Sequence, residues 1–334
     1  MKKSFLTRIA YTNGLWIAGL LLLLFSAFGD MFYSFSVMKT PEVKAFMGLD
    51  GQELFGYPLD SIFKNNYLCY SFRFLLLFGC ALLLQFISSE FRLIRVRSFF
   101  PFFLFCIFSA AIIPILPLNG ASISCFFFCW SCFRLFGSLD SKPVNRAIFD
   151  ANALLAIASL FQPRIIYMLP IFWIVMSILQ VFSFKSFMAS IIGVISVFWV
   201  IGATSFLMDD YAFLLDFSQN LISFQLVDFS LFSSAEITYV AFLGLLMISA
   251  MIFFWPRQHM DKLRTRNYLN SVLLLWFAVL ILWIFSDNEM GVLLLLFSLS
   301  ALMAAHFFSL IDDRYSRVLF FMLIILSVSV FFLI

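Results

Sequence analysis

The sequence predicts an all-α protein, a single transmembrane domain over residues 1–334 built as a bundle of about eleven membrane-spanning helices. The first observation is composition, because 63% of the residues are hydrophobic and only 12% are charged, too little polar surface to cover a water-soluble core. The second is that largely apolar stretches of about 20 residues, the length that crosses a bilayer, recur throughout the chain. The third is an unequal distribution of Lys and Arg between alternate connections.

The predicted spans are the apolar segments between polar or charged connections. They cover residues 9–29, 66–86, 98–117, 121–136, 147–162, 165–183, 186–208, 238–255, 268–286, 291–311 and 316–334. The first span follows Lys2 and Lys3 and ends near Ala27, so it is either a cleaved secretory signal or an uncleaved anchor. The number of spans that follow favours the anchor.

The basic residues set the predicted orientation. Sixteen of the 21 Lys and Arg residues fall on the side of the N-terminus, four fall on the other side and Arg73 lies inside a span. The positive-inside rule therefore predicts a multi-pass protein of the bacterial inner membrane with a cytoplasmic N-terminus and an external C-terminus. The net charge of +3 gives no indication of a nucleic-acid partner, so we expect membrane lipid and other membrane proteins as partners.

Two longer connections are predicted to lie on the external side. Residues 38–65 carry mixed charges together with prolines and glycines, which indicates short helices resting on the membrane surface. Residues 209–237 contain an apolar stretch that could form a twelfth span. Asp216, Asn220 and Asp228 interrupt it, and a twelfth span would move the basic cluster at 257–266 outside, so one or two interfacial helices are predicted instead.

Carboxylates at the external ends of spans are the first candidates for chemistry. Asp30 follows the first span and precedes the large external connection. A partly desolvated carboxylate holds a proton more readily than one in water, which suits Asp30 to act as a catalytic base. Asp209 and Asp210 close the seventh span on the same side and are candidate substrate-binding residues. For all three, the alternative is an ordinary solvated helix end.

Two arginines near the external side are the candidate binding residues for an anion. Arg73 interrupts an otherwise apolar span, and a cation at that depth must be paired, reach water or bind a ligand. Arg164 follows Pro163 in a tight external turn. Structural pairing and anion binding both remain open for these two residues.

Cysteines and histidines are weaker candidates for a functional site than the carboxylates and arginines. Cys125, Cys129 and Cys132 share one face of the fourth predicted span and could hold a soft metal. The sequence offers no fourth ligand near them, so we expect a packed face and no metal. His306 is predicted to be a hydrogen-bonded residue between helices. No cofactor is identified, and no phosphate-binding glycine loop or protease motif is present.

Several segments resemble a family of uncharacterised bacterial inner-membrane proteins. The similarity lies in Arg134 to Lys142, in Ala147 to Phe161 with the proline turn and Trp-bearing span that follow, and in Lys262 to Leu269. Members of that family have sometimes been labelled carotene oxygenases. The label does not fit, since two histidines cannot supply the four iron ligands of such enzymes.

The chain also resembles, more distantly, the GT-C class of glycosyltransferases that use polyprenyl-phosphate sugars. Those enzymes place an Asp after the first span and carry a helical hairpin like Ala158 to Pro163. The resemblance implies Asp30 as the base, Arg73 or Arg164 at the donor phosphate, and a lipid-linked sugar as donor. The sequence departs from the pattern at Met31, where a second acid is usual, and at 116–120, which lacks an acid.

The resulting hypothesis is a membrane glycosyltransferase acting on the external face. The alternative is a non-catalytic scaffold of an envelope or secretion complex, held together through Phe-rich and small-residue helix faces. A transporter is disfavoured because the sequence shows no internal repeat and carries few charges within its spans.

Overall fold

The computed structural model of the protein describes residues 14–24, 53–54, 57–58, 66–94, 98–112, 120–209, 211–222, 226–227, 234–257, 262–285, 290–310 and 314–333. Nearly all of these residues are helical, which confirms the predicted fold class. The helices are α1 (Gly14–Leu24), α2 (Asn66–Glu90), α3 (Phe100–Ile112), α4 (Gly120–Gly137), α5 (Val144–Phe161), α6 (Met168–Ile178), α7 (Phe184–Met208), α8 (Ala212–Ile222), α9 (Ser234–Arg257), α10 (Leu263–Ile284), α11 (Met290–Leu310) and α12 (Arg314–Leu333). A 3-10 turn, Pro163–Tyr167, joins α5 to α6.

A helix overlaps each of the predicted spans. Among the described residues, seven helices are long and apolar enough to cross a membrane: Ser71–Glu90, Gly120–Gly137, Val144–Phe161, Phe184–Leu207, Ile237–Pro256, Leu263–Ile284 and Val292–Leu310. The segments Gly14–Leu24, Phe100–Ala110 and Pro163–Ile178 are apolar but shorter. The apolar helical bundle is consistent with an integral membrane protein, and the count of about eleven crossings stays a prediction.

The two longer connections are only partly described. Within residues 38–65, the strands β1 (Glu53–Leu54) and β2 (Tyr57–Pro58) form a small antiparallel hairpin. The short helices predicted for this connection fall on residues outside the described ones and stay a prediction. In the second connection, the 11 residues of α8 are about 16 Å long, too short to cross a bilayer.

Helix α11 is the centre of the bundle. In its apolar segment, 94% of the residues are buried, against 17% for α7. Helices α2, α3, α4, α9 and α10 all pack against α11. An α-helix that is apolar on all sides and enclosed by others in this way forms the core of a helical bundle.

Phenylalanine rings fill the space between α3, α11 and α12. The ring of Phe320 lies 6.0 Å from that of Phe100 and 5.3 Å from that of Phe308, both edge-to-face. Aromatic pairs prefer this arrangement and add about 0.5–1.5 kcal/mol each beyond the area they bury. The abundance of Phe in the sequence is thus used for packing between helices.

A polar network lies at the end of the bundle predicted to face the cytoplasm. Tyr268 on α10 donates a hydrogen bond to the carbonyl of Phe136 at 3.2 Å and accepts one from Arg264 at 3.3 Å. Arg264 also pairs with Asp140 in the connection between α4 and α5. Ring contacts place Phe91, at the end of α2, 5.1 Å from Tyr268. Connections predicted to share one side of the membrane therefore meet at one end of the bundle.

Asp150 links two neighbouring helices. Helix α5 begins six residues before it, at Val144, so Asp150 lies beyond the first turn. It forms an ion pair with Arg134 of α4. The pair is partly exposed and links the neighbouring helices α4 and α5.

Candidate functional site

Arg73 lies on the buried face of α2. It is seven residues from the start of the helix, about 10 Å along the axis, and only 4% exposed. Leu76, Leu77 and Cys80 continue the same buried face. Of the possibilities left open by the sequence, this burial favours a paired or ligand-binding Arg73 over one that reaches water. Since a desolvated guanidinium needs an opposite charge or several acceptors, the position requires a polar partner.

Arg164 lies in the 3-10 turn after α5 and is also only 4% exposed. Pro163 opens the turn, where its fixed φ and missing N–H are tolerated, and so ends α5. The neighbouring Ile165 is fully buried. The turn is thus packed into the protein, and an arginine predicted to lie in a tight external turn is enclosed by protein.

Gln162 adds a feature that the sequence did not predict. Its side chain is 2% exposed, and neither its amide nitrogen nor its amide oxygen has a hydrogen-bond partner among the described residues. Leaving a buried polar group in this state costs about 1–3 kcal/mol. Two buried polar side chains, Gln162 and Arg164, therefore lie within three residues of the end of α5.

A small apolar cluster lies between the segments that lead to the two arginines. Leu76 of α2 and Ile123 of α4 are buried against each other, with Phe127 and Phe161 packed beside them. The rings of Phe127 and Phe161 stack with centroids 6.4 Å apart. Leu76 is one turn beyond Arg73, and Phe161 is three residues before Arg164. The structure therefore brings Arg73 and Arg164 to the same end of the bundle.

Of the three candidate carboxylates, only that of Asp209 lies within the described residues. Asp209 caps the C-terminus of α7 in the left-handed conformation, with φ of 54°, and its side chain is exposed. Helix α7 starts at the opposite end of the bundle, so Asp209 lies on the same side as Arg164. Asp30 and Asp210 lie outside the described residues. The site therefore has two located arginines, one exposed carboxylate and a proposed base whose position is open.

A second cluster lies in the middle of the bundle. The sulfur atoms of Cys80 on α2 and of Cys125 and Cys129 on α4 all lie within 4.8 Å of one another. All three residues are at most 2% exposed. The sequence had grouped Cys132, not Cys80, with the pair on α4. Because Cys80 is distant in sequence, only the packing of α2 on α4 reveals this group.

An open groove between two helices is the third feature. It has a volume of about 390 Å³ and lies between α4 and α5, beside the ion pair of Arg134 and Asp150. Trp130, Leu154 and Ile157 contribute to its mostly apolar lining. Its charged groups neutralise each other, so the groove fits a lipid chain better than an anionic headgroup.

Comparisons of the chain with protein-family models, curated proteins and solved structures give no significant match. The resemblances noted from the sequence therefore remain hypotheses. The observed structure buries both Arg73 and Arg164. Low dielectric strengthens the interaction of a buried guanidinium group with an anionic partner.

His306 occupies the position that the sequence suggested. Its Nδ1 lies 2.8 Å from the carbonyl oxygen of Leu93, which joins α11 to the turn after α2. The residue is 2% exposed and lies beside Phe254, with ring centroids 5.9 Å apart. It is a contact between helices at the end of the bundle opposite Arg164.

Proposed function

We propose that the protein is a membrane-embedded transferase that binds a lipid-linked phosphate sugar at the end of the bundle carrying Arg73 and Arg164. The observation that carries the proposal is the burial of both guanidinium groups at one end, next to the buried amide of Gln162. Arginine is well suited to bind phosphate, because its planar N–H groups match two phosphate oxygens at once.

The reaction is a displacement at the anomeric carbon of the sugar. An acceptor hydroxyl oxygen attacks that carbon while its bond to the donor phosphate breaks, and the hydroxyl proton passes to Asp30. The leaving polyprenyl phosphate takes the bonding electron pair. Arg73 and Arg164 stabilise the negative charge that this transfer leaves on the phosphate. The distant resemblance to GT-C enzymes supports the same assignment of roles.

The test compares a deletion strain complemented with matched variants. Mass spectrometry of envelope glycans and lipid-linked sugars is applied to strains carrying wild type, Asp30→Asn, Arg73→Gln, Arg164→Gln or Lys185→Gln. Lys185 is an exposed cation at the opposite end of α7 and serves as the control. We expect one glycan to be lost on deletion, restored by wild type and by Lys185→Gln, and absent in the other three.

Conservative variants distinguish binding from folding. Arg73→Lys and Arg164→Lys keep the charge but lose the two-point contact with phosphate, so partial recovery of the glycan is expected. Glycans that stay the same in the deletion strain and in every variant, at matched protein levels, would exclude the transferase.

One observation favours the alternative of a scaffold. Helix α7 packs mainly on α5 and leaves a stripe of large apolar residues exposed, namely Ile192, Ile195, Trp199 and Phe206. Such a stripe can contact a partner helix as well as lipid. A scaffold requires that Trp199→Ala or Phe206→Ala weakens co-purification of specific membrane proteins while Arg73→Gln does not. The transferase requires that Arg73→Gln abolishes the glycan while Trp199→Ala and Phe206→Ala leave it unchanged.

A further inference from the structure

The three buried thiols of Cys80, Cys125 and Cys129 form a group with the composition of a metal site. Each residue offers one sulfur, and all three sulfurs lie within 4.8 Å of one another. We propose that this group is a binding site for a soft monovalent cation, Cu(I). The inference does not depend on the proposed transferase, because the site lies deeper in the bundle and uses different residues.

Two local features of the helices bring these sulfurs together. Cys125 and Cys129 are four residues apart on α4, so both project from one face of that helix. On α2, Gly79 precedes Cys80 and lets α4 approach closely. A Cβ at position 79 would lie 2.8 Å from the ring of Phe126, a neighbour of Cys125. The close packing of α2 against α4 therefore holds the third sulfur beside the other two.

The three sulfur ligands favour Cu(I) over other metal ions. Thiolates are soft ligands that favour Cu(I), zinc and iron–sulfur clusters. Among the described residues, the group contains three sulfurs and neither histidine nor carboxylate. Zinc strongly prefers four ligands, and the polar groups beside the sulfurs are the Ser298 hydroxyl near Cys129 and the Leu294 carbonyl 3.9 Å from the Cys125 sulfur, both poor ligands for a soft ion. Three sulfurs suit the trigonal coordination that Cu(I) adopts.

The spacing requires only small movements. Three sulfurs placed about 2.3 Å from one metal ion lie about 4 Å from each other. The observed separations, at most 4.8 Å, therefore close by less than 1 Å on binding. Rotation about the Cα–Cβ bonds of the cysteines is enough to supply this change.

Burial determines the charge of the complex. A highly charged complex is unfavourable in an apolar interior, so Cu(I) is held by two thiolates and one neutral thiol, with one net negative charge. Two of the three thiols lose their protons to solvent as the three copper–sulfur bonds form, so uptake weakens as the pH falls. The oxidation state of copper does not change. Exclusion of water by the surrounding apolar side chains protects Cu(I) from oxidation.

The test uses the full chain, purified in detergent without oxygen and with a reductant that lacks thiols. Cu(I) is titrated in competition with a coloured chelator, and copper X-ray absorption reports the ligand atoms. We expect about one tightly held ion per chain, with copper–sulfur distances of about 2.2–2.3 Å and no nitrogen ligand. The combined variant Cys80→Ser, Cys125→Ser, Cys129→Ser should lose that ion.

Matched controls come from the other buried cysteines. Cys106 and Cys132 are equally buried and lie outside the group, so the variant Cys106→Ser, Cys132→Ser should bind as wild type does. The single variant Cys80→Ser removes one ligand and should bind at least about tenfold more weakly. The inference is overturned if wild type cannot compete with the chelator, if the triple variant keeps its ion, or if the control loses it equally.

Discussion

Gly193 of α7 touches the backbone of α5 at Phe149. A Cβ at position 193 would lie 2.7 Å from the carbonyl oxygen of Phe149 and 3.3 Å from the amide nitrogen of Ala153. Backbone atoms cannot move aside as the end of a side chain can. The contact between α5 and α7 therefore depends on the absence of a side chain at this position, as at other helix crossings that use small residues.

Gly193→Ala should destabilise the protein because the new methyl group forces α7 away from α5. We expect a loss of about 1–3 kcal/mol, in the range of overpacked positions. Gly202→Ala on the same helix is the control, since nothing lies within 4 Å of a Cβ there. Thermal unfolding in detergent should show a lower midpoint for Gly193→Ala and an unchanged or higher one for Gly202→Ala. Equal midpoints for the two variants would contradict the close crossing.

Gln162→Leu should stabilise the protein while it reduces activity. The substitution keeps the volume and removes a buried amide that has no partner among the described residues, so a gain of about 1–3 kcal/mol is expected. If Gln162 contacts the phosphate donor, the glycan readout should fall in the same variant. The measurements are the unfolding midpoint and the glycan level in complemented cells.

Gln85→Leu is the control for that experiment. Gln85 donates a hydrogen bond to the Ser98 carbonyl at 2.9 Å, so its replacement should lower stability by about 1 kcal/mol. A Gln162→Leu variant that unfolds as early as Gln85→Leu would show that Gln162 is satisfied within the protein. Stability gained without any change in the glycan would remove Gln162 from the binding site.

Tyr268→Phe should weaken the network at the end of the bundle that carries Arg264. The substitution removes a hydrogen bond to the Phe136 carbonyl and one from Arg264, and we expect a loss of about 1–2 kcal/mol. Asp140→Asn removes the ion pair with Arg264 at a position where both side chains are about half exposed. That loss should be below about 1 kcal/mol and should shrink as salt is raised.

Chemical denaturation at low and high salt measures both changes. The loss for Tyr268→Phe should depend less on salt than the loss for Asp140→Asn, because one of the two hydrogen bonds that it removes goes to the neutral carbonyl of Phe136. A larger effect for Asp140→Asn than for Tyr268→Phe would mean that the ion pair, and not the hydroxyl, holds this end together.

Trp276 and Ser300 should be energetically coupled. The indole nitrogen of Trp276 donates a hydrogen bond of 2.8 Å to the Ser300 hydroxyl, linking α10 to the central helix α11. Ser300→Ala leaves the buried indole N–H unsatisfied, which should cost about 1–3 kcal/mol. Trp276→Phe removes that donor and also some apolar surface.

A double-mutant cycle isolates the hydrogen bond of Trp276. Ser300→Ala should lower the free energy of unfolding less in the Trp276→Phe background than in wild type. The difference, which is the coupling energy, should be about 1 kcal/mol. Ser298, on the same helix, bonds to its own backbone at Leu295, so Ser298→Ala should show no coupling with Trp276→Phe. Additive losses for Trp276 and Ser300 would contradict the contact.

The sequence by itself determined the class of the molecule. Apolar stretches of bilayer length leave helices as the structure that satisfies the backbone internally, so their positions could be predicted within a few residues. The burial of Arg73 could also be predicted, because a cation in an apolar helix is stable only when it faces the protein interior. The orientation of the bundle in the membrane remains a prediction from the charge distribution.

Only the tertiary structure decided which residues meet. The grouping of Cys80 with Cys125 and Cys129 depends on how α2 rotates and slides against α4, and apolar helices offer many nearly equivalent registers. The sequence also did not predict the ion pair of Arg134 with Asp150, because it placed the start of α5 three residues too late in the chain. Sequence periodicity identifies the buried face of a helix, whereas close packing with a specific neighbour selects its partners.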